Sequence, residues 1–196
     1  PISVDTRKAA VARAALAAGA ALVNDVGGLA DPAMAEVVAA AGAAVVIMHM
    51  QGTPETMQAA PAYGDVVAEV TAFLAERRDR AVRAGVVPAA VLVDPGIGFG
   101  KTVEHNLALL RHLERVAEVG PVVVGLSRKS TLGAVLGGRP VEGRLHAGVG
   151  GAVWSALHGA SVVRTHDVLP TLDALRVVAA IVDAGPRRGG PREGAD

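Results

Sequence analysis

The sequence has no cysteine, so neither a disulfide framework nor a thiolate metal site is available to it. Aromatic residues are nearly absent as well: one Trp, one Tyr and two Phe make up 2% of the chain. The core must therefore be built from small aliphatic side chains, as is common where helices pack closely on a parallel sheet. There is no net charge, because 19 Lys and Arg offset 19 Asp and Glu. Nucleic-acid and membrane-surface binding thus lack electrostatic support. No apolar run reaches the roughly 18–20 residues that would span a bilayer, and the N-terminus shows no signal-peptide pattern. A soluble, cytoplasmic protein is expected. The segment 185–196 is almost devoid of apolar residues and is expected to be a disordered tail.

What the chain does have is aliphatic residues in quantity: it is 51% hydrophobic over 196 residues, enough for one domain with a sizeable core. Short apolar runs alternate with helical patterns. Strands are expected at Ile2–Val4, Ala21–Val23, Ala43–Met48, Val91–Val93, Val122–Val124 and Ser161–Val163. Helices are expected over Arg7–Ala18, from Asp31 (N-cap) and Pro32, and over Asp65–Ala84, Val103–Ala117, Leu145–His158 and Leu169–Ala184. These six strand–helix units contain no clear hairpin, which predicts a parallel sheet. The strands are apolar throughout, as when both faces are covered.

An open doubly wound sheet and a (β/α)8 barrel both fit this alternation. The strand ends favour the barrel. Each run stops at polar groups: Asp5, Asn24 and Asp25, His49, Asp94, Ser127 to Lys129, then Arg164 with His166 and Asp167. A barrel converges all its tips on one mouth, whereas an open sheet needs polar groups mainly at one switch point. A barrel of about 250 residues uses roughly 31 per unit, so this chain holds about six.

The most informative stretch is Val91-Leu-Val-Asp-Pro-Gly-Ile-Gly-Phe-Gly-Lys101. Pro95 and the glycines force a sharp exit from the strand, leaving Asp94 at its rigid end. Gly96 to Thr102 is one residue shorter than a Walker A loop and has Pro95 in place of its first glycine, so it does not make that phosphate cradle. The glycines do not match the dinucleotide fingerprint either. The competing reading of Asp94 is a simple turn starter, as Asp-Pro-Gly often is.

Taken in order, Ser3-Val-Asp-Thr6, Asn24-Asp25, Met48-His-Met-Gln-Gly-Thr-Pro54, Asp94 to Lys101, Gly125-Leu-Ser-Arg-Lys-Ser130 and His166-Asp-Val168 closely resemble the dihydropteroate synthase family. The resemblance covers residues 1–184 and implies a pterin-binding TIM-type barrel, with these units as the family's strands 3 to 8. It further implies the folate-pathway reaction that sulfonamides inhibit. In it, 6-hydroxymethyl-7,8-dihydropterin diphosphate and 4-aminobenzoate condense to 7,8-dihydropteroate and pyrophosphate. The cofactor it implies is Mg²⁺, with no metal ligand in this chain, and the assembly is a homodimer. With the family's first two strands absent, the 196 residues alone are expected to be inactive.

The resemblance also assigns roles. Asp94 and Asn24 would read the hydrogen-bonding edge of the pterin, a carboxylate for adjacent N–H groups and an amide for a mixed edge. Asp5 would steady positive charge as the C–O bond breaks. Lys129 would reach the pterin carbonyl side, Ser130 the 4-aminobenzoate carboxylate, and Arg164 and His166 the leaving pyrophosphate. Val26, Met48, Phe99 and Gly125 would wall the pocket, although Val26 also fits plain core packing. Lys129 could instead be a Schiff-base nucleophile. The whole chain could be a non-catalytic pterin-binding domain or an inactive homologue. His49 receives no role, and His105, His112, His146 and His158 are read as surface or packing residues.

Overall fold

The computed structural model describes residues 1–184, so the tail expected to be disordered lies outside the described residues. The order is β1 (Ser3–Asp5), α1 (Ala9–Ala17), β2 (Leu22–Asp25), α2 (Met34–Ala40), β3 (Ala44–Met48) and α3 (Val66–Arg83). It continues with β4 (Val91–Asp94), α4 (Val103–Arg111), α5 (Leu113–Ala117), β5 (Val122–Gly125), α6 (Ser130–Val135), α7 (Leu145–Leu157), β6 (Ala160–Arg164) and α8 (Val168–Asp183).

All six strands are parallel and lie in sequence order, β1 to β6. Every crossover therefore steps one strand in the same direction, without the reversal that defines a doubly wound sheet. The sheet curls until its two edge strands face one another: Arg164 on β6 comes within 3.8 Å of the Asp5 carboxylate on β1. A cavity of about 420 Å³ lies inside the curl, half open and lined from all six strands, with Leu22, Val46, Leu92, Val123 and Val162 below Asp5, Asn24 and Arg164. This is the barrel-type curvature expected from the strand tips.

Two-residue alternation sorts each strand into an inner and an outer set. The outer set, Val23, Val45, Ile47, Val91, Val93, Val122 and Val124, is fully or almost fully buried. It packs with Val38 of α2, Val70 and Leu74 of α3, Leu109 of α4, and Leu113 and Val116 of α5 in one core. Each such burial stabilises by about 1.5–3 kcal/mol. Small residues let the layers approach closely: Ala12 and Ala81 have no exposed surface.

Helix ends follow local chemistry. Asp65 caps α3 by accepting from the Val67 and Ala68 N–H groups, while Glu69 reaches back to the Gly64 and Asp65 N–H groups.

Three boundaries differ from the sequence reading. Asp31 does not cap a helix beginning at Pro32. It accepts from Ala33 N in a turn and from Ala9 N at the start of α1, and α2 begins only at Met34. The helix expected over Val103–Ala117 breaks at His112 (φ −114°, ψ 35°), beyond which Leu113 and Val116 both reach full burial. Finally, α6 occupies what read as loop. Six residues ending before Gly137 and Gly138 are too few to show a helical period.

Candidate active site

The inner set of each strand ends in a residue singled out from the sequence: Asp5, Asn24, Met48, Asp94, Gly125 and Arg164. Register places them as neighbours around one end of the sheet, with Asp5 beside Asn24, Met48 beside Asp94, and Gly125 beside Arg164. Asn24 Nδ2 donates to Asp5 Oδ2 at 2.9 Å. That bond orients the Asn24 amide and leaves the second Asp5 oxygen free. The ion pair of Asp5 with Arg164 is half-exposed on both sides, so it contributes little to stability, but it holds the guanidinium over the mouth. Gly125 makes room for that guanidinium, since a side chain at 125 would press on the Arg164 Nε and Nη2 atoms.

Asp94 is buried, and one oxygen accepts from Gly96 N at 2.7 Å. Burial raises the pKa of its carboxyl, and the Lys129 charge and the Gly96 N–H oppose that rise. The group is a desolvated acceptor with capacity to spare, which is what recognition of paired N–H donors requires.

Lys129 precedes α6, just after Arg128, whose φ of 65° turns the chain into the mouth. Its ammonium donates to the Ile97 carbonyl and stands 4.6 Å from the centre of the Phe99 ring. Burial lowers its pKa to about 8, although Asp94 pulls the other way. Ser130 follows, exposed, as the first residue of α6. His166 is tied to Ser127 Oγ through its backbone N (3.2 Å) and Nδ1 (3.0 Å), while Arg128 pairs with Asp167 at 3.1 Å. These contacts join the loop after β5 to the loop after β6. Val26 sits half-buried just past β2, where Asp25 accepts from Gly27 N and Leu29 N and shapes the turn.

Asp5, Asn24, Asp94, Lys129 and Arg164 therefore meet at one mouth, with Met48, Phe99 and Gly125 around them. Residues 1–166 match the family described as pterin binding enzyme. The chain belongs to the pterin-binding enzyme family. Among its relatives, the dihydropteroate synthase of Mycobacterium leprae is 50% identical over 194 residues, covering 95% of this chain and 68% of that protein. The dihydropteroate synthase of Thermus thermophilus, solved with 4-aminobenzoate, superposes with a TM-score of 0.89 at 49% identity, covering 92% of this chain and 70% of that one. That of Xanthomonas albilineans, solved with 7,8-dihydropteroate, gives 0.87 at 45%, covering 95% and 68%. The chain spans about two thirds of the length of the curated relatives it matches (68%, 66% and 65% for three of them). The barrel read from the strand tips is the fold of these pterin-binding enzymes.

The sequence assigns no role to Lys101, Asn106 or His49, yet the fold brings all three to the glycine loop. Lys101 and His49 are buried against each other, with Nζ 2.9 Å from Nδ1. Burial and then the Lys101 charge depress the His49 pKa to about 3. Burial lowers that of Lys101 to about 7. Asn106 on α4 accepts from Gly98 N at 2.8 Å and donates to Thr131 Oγ1 at 3.0 Å, linking the glycine loop to α6. The one sequence signal for Lys101 is that it closes a glycine run that does not match a Walker A loop. Of the remaining histidines, His105 completes a capping box with Thr102, and His158 stacks on Trp154.

Among the described residues, no three His, Asp or Glu side chains converge as a metal site. No described helix is long and apolar enough to cross a membrane.

Proposed function

We propose that the chain carries the pterin-binding and transfer machinery of a dihydropteroate synthase, in which the amine of 4-aminobenzoate displaces pyrophosphate from 6-hydroxymethyl-7,8-dihydropterin diphosphate. The observation that carries this reading is the meeting of the buried Asp94 carboxylate, the Asp5–Asn24 pair, Lys129 and Arg164 at one mouth of a pterin-binding barrel. Asp94 accepts from the adjacent ring N–H and 2-amino group of the pterin. Asn24, its amide held by Asp5, presents donor and acceptor to the mixed edge. As the C–O bond breaks, the electron pair leaves with the diphosphate and the methylene carbon becomes cationic. The fixed charge of Asp5 stabilises that cation. Arg164 and His166 take up the charge growing on pyrophosphate. Lys129 donates to the pterin carbonyl, and Ser130 holds the arylamine's carboxylate near Phe99. The nitrogen lone pair then forms the new C–N bond and the amine releases its proton.

The same proposal includes Mg²⁺ as the counter-ion of the diphosphate, a homodimer and a cytoplasmic location. Asp5 stands alone as a carboxylate on its side of the mouth, already shared between Asn24 and Arg164. The described residues therefore do not make a Mg²⁺ site of their own, and no step above depends on one.

Titration calorimetry with dihydropterin diphosphate, then with 4-aminobenzoate on the loaded protein, tests the reading. Binding of both is expected, with pyrophosphate competing for the first site. A protein that bound the pterin but was indifferent to pyrophosphate would be a carrier and not a transferase. Two further outcomes follow from Lys129. Dihydropterin affinity should fall as pH rises through about 8, because the free ammonium loses its proton there and the carbonyl then faces a neutral amine. Lys129→Arg should not restore what Lys129→Met loses, since a guanidinium is planar and wider than the ammonium that sits against the Ile97 carbonyl and the Phe99 ring. Equal affinity at pH 7 and pH 9.5 would remove the charged role.

A further inference from the structure

Lys101 is a buried cation that none of these steps uses. Its ammonium lies 2.9 Å from His49 Nδ1, 3.3 Å from His49 O, 3.1 Å from Gly96 O and 3.0 Å from Phe99 O. All four partners are neutral acceptors. Burying an ammonium without a carboxylate directly on it is unfavourable for stability, so its effect must be sought in what it holds.

What it holds is the glycine loop. Gly96, Gly98 and Gly100 all have positive φ, so the backbone itself restrains this segment little. Tyr63 Oη donates to Gly100 O, Gln58 Nε2 to Gly98 O, and Asn106 accepts from Gly98 N; apart from Lys101, Gly96 is held through its N–H to Asp94, Phe99 through its N–H to Gly96 O, and Ile97 by the burial of its side chain. Lys101 binds the carbonyls of Gly96 and Phe99, which bracket Ile97, and ties both to the end of β3. Ile97 O and the Phe99 ring are the two groups that seat the Lys129 ammonium.

We infer that Lys101 is a positioning residue that clamps the Gly96–Gly100 loop to His49 and so holds the Phe99 ring in register for the arylamine side of the pocket and the Lys129 ammonium in register for the pterin carbonyl. The inference rests on the proposed function. It divides the site in two. Asp94 and Asn24 stand on strands and keep their places without the clamp, whereas Phe99, Lys129 and Ser130 stand on the loops it governs.

The test is calorimetry on the full chain with Lys101→Met and Lys101→Gln, the latter keeping two N–H donors for the carbonyls. Dihydropterin diphosphate affinity should fall by only about threefold in either variant, the share carried by Lys129, because Asp94 and Asn24 keep their places. Affinity for 4-aminobenzoate on the loaded protein should fall at least tenfold in Lys101→Met, which is about 1.4 kcal/mol or more, and by less in Lys101→Gln. Lys101→Ala should recover part of its loss with added propylamine, which general misfolding would not allow. If both ligands weakened equally, or neither did, the clamp would be refuted while the functional reading stood. An unsubstituted chain that bound no dihydropterin would remove the functional reading and this inference with it. A check without substitution is ¹⁵N NMR of His49. Donation from Lys101 to Nδ1 requires the ring proton on Nε2, and a proton found on Nδ1 would overturn the clamp.

Discussion

Asp94→Asn should reduce dihydropterin affinity by roughly 30-fold or more while leaving the melting temperature of the free protein unchanged or raised. The two halves of that expectation come from one physical fact. Asp94 is a buried carboxylate whose ionised form is disfavoured by desolvation and is only partly compensated by Gly96 N–H and the nearby lysine charges. In the free protein an amide of the same shape escapes the desolvation penalty and still accepts from Gly96 N, so folding loses little. In the complex the amide turns one acceptor into a donor and faces a ring N–H with an NH₂. Breaking one side of a buried charge-assisted pair costs about 2–5 kcal/mol, the origin of the 30-fold figure.

The stability half also has a sign in pH. The folded pKa lies above the unfolded value, so any contribution from this group is fully present below pH 3.8 and lost as pH rises through the raised folded pKa. Asp94→Asn should flatten that part of the stability profile. Calorimetry for affinity and thermal melts at several pH values check the two halves separately. A large drop in melting temperature would mean that Asp94 acts in folding, and an unchanged affinity would remove it from the pterin contact.

How far the sequence could lead is clearest at Asp94 and Lys101, which lie seven positions apart in the chain. A carboxylate that ends an apolar strand and precedes Pro-Gly can be read locally, because strand, stop and turn are all near-neighbour properties. The same holds for Asp5, Asn24 and Arg164. Their meeting at one mouth was inferred from the repetition of polar tips, and a curled sheet turned that repetition into proximity. Lys101 offered no such signal. Its partner His49 lies 52 residues away, and only the packing of β3 on the glycine loop makes them neighbours. Asp31 departs from its sequence expectation for a related reason. Locally it is a good N-cap, but in the fold its second oxygen satisfies Ala9 at the start of a different helix. The break at His112 likewise reflects the burial of Leu113 and Val116, a demand of the core that a helical period does not reveal.

Gly96→Ala should be the most damaging single-methyl change in the described part of the site, lowering stability by roughly 2–5 kcal/mol. Two costs add. At φ 68° the residue is left-handed, where an alanine is disfavoured by about 1–2 kcal/mol. A methyl group there would also land on the carbonyl oxygen of His49, which is backbone and cannot rotate away. Forcing atoms into a packed site costs typically a further 1–3 kcal/mol. Gly42→Ala isolates the first cost, because Gly42 has φ 61° but open space where its methyl would go. Urea denaturation of both variants should therefore show a loss of about 1–2 kcal/mol at position 42 and a clearly larger one at 96. Any relief of the clash must pull the loop from β3, so Gly96→Ala should also loosen the bonds of Lys101 to His49 O and Gly96 O, and with them the seat of Lys129. If the two variants lost the same stability and Gly96→Ala still bound both substrates at full strength, the close contact between loop and strand would have no energetic or functional weight.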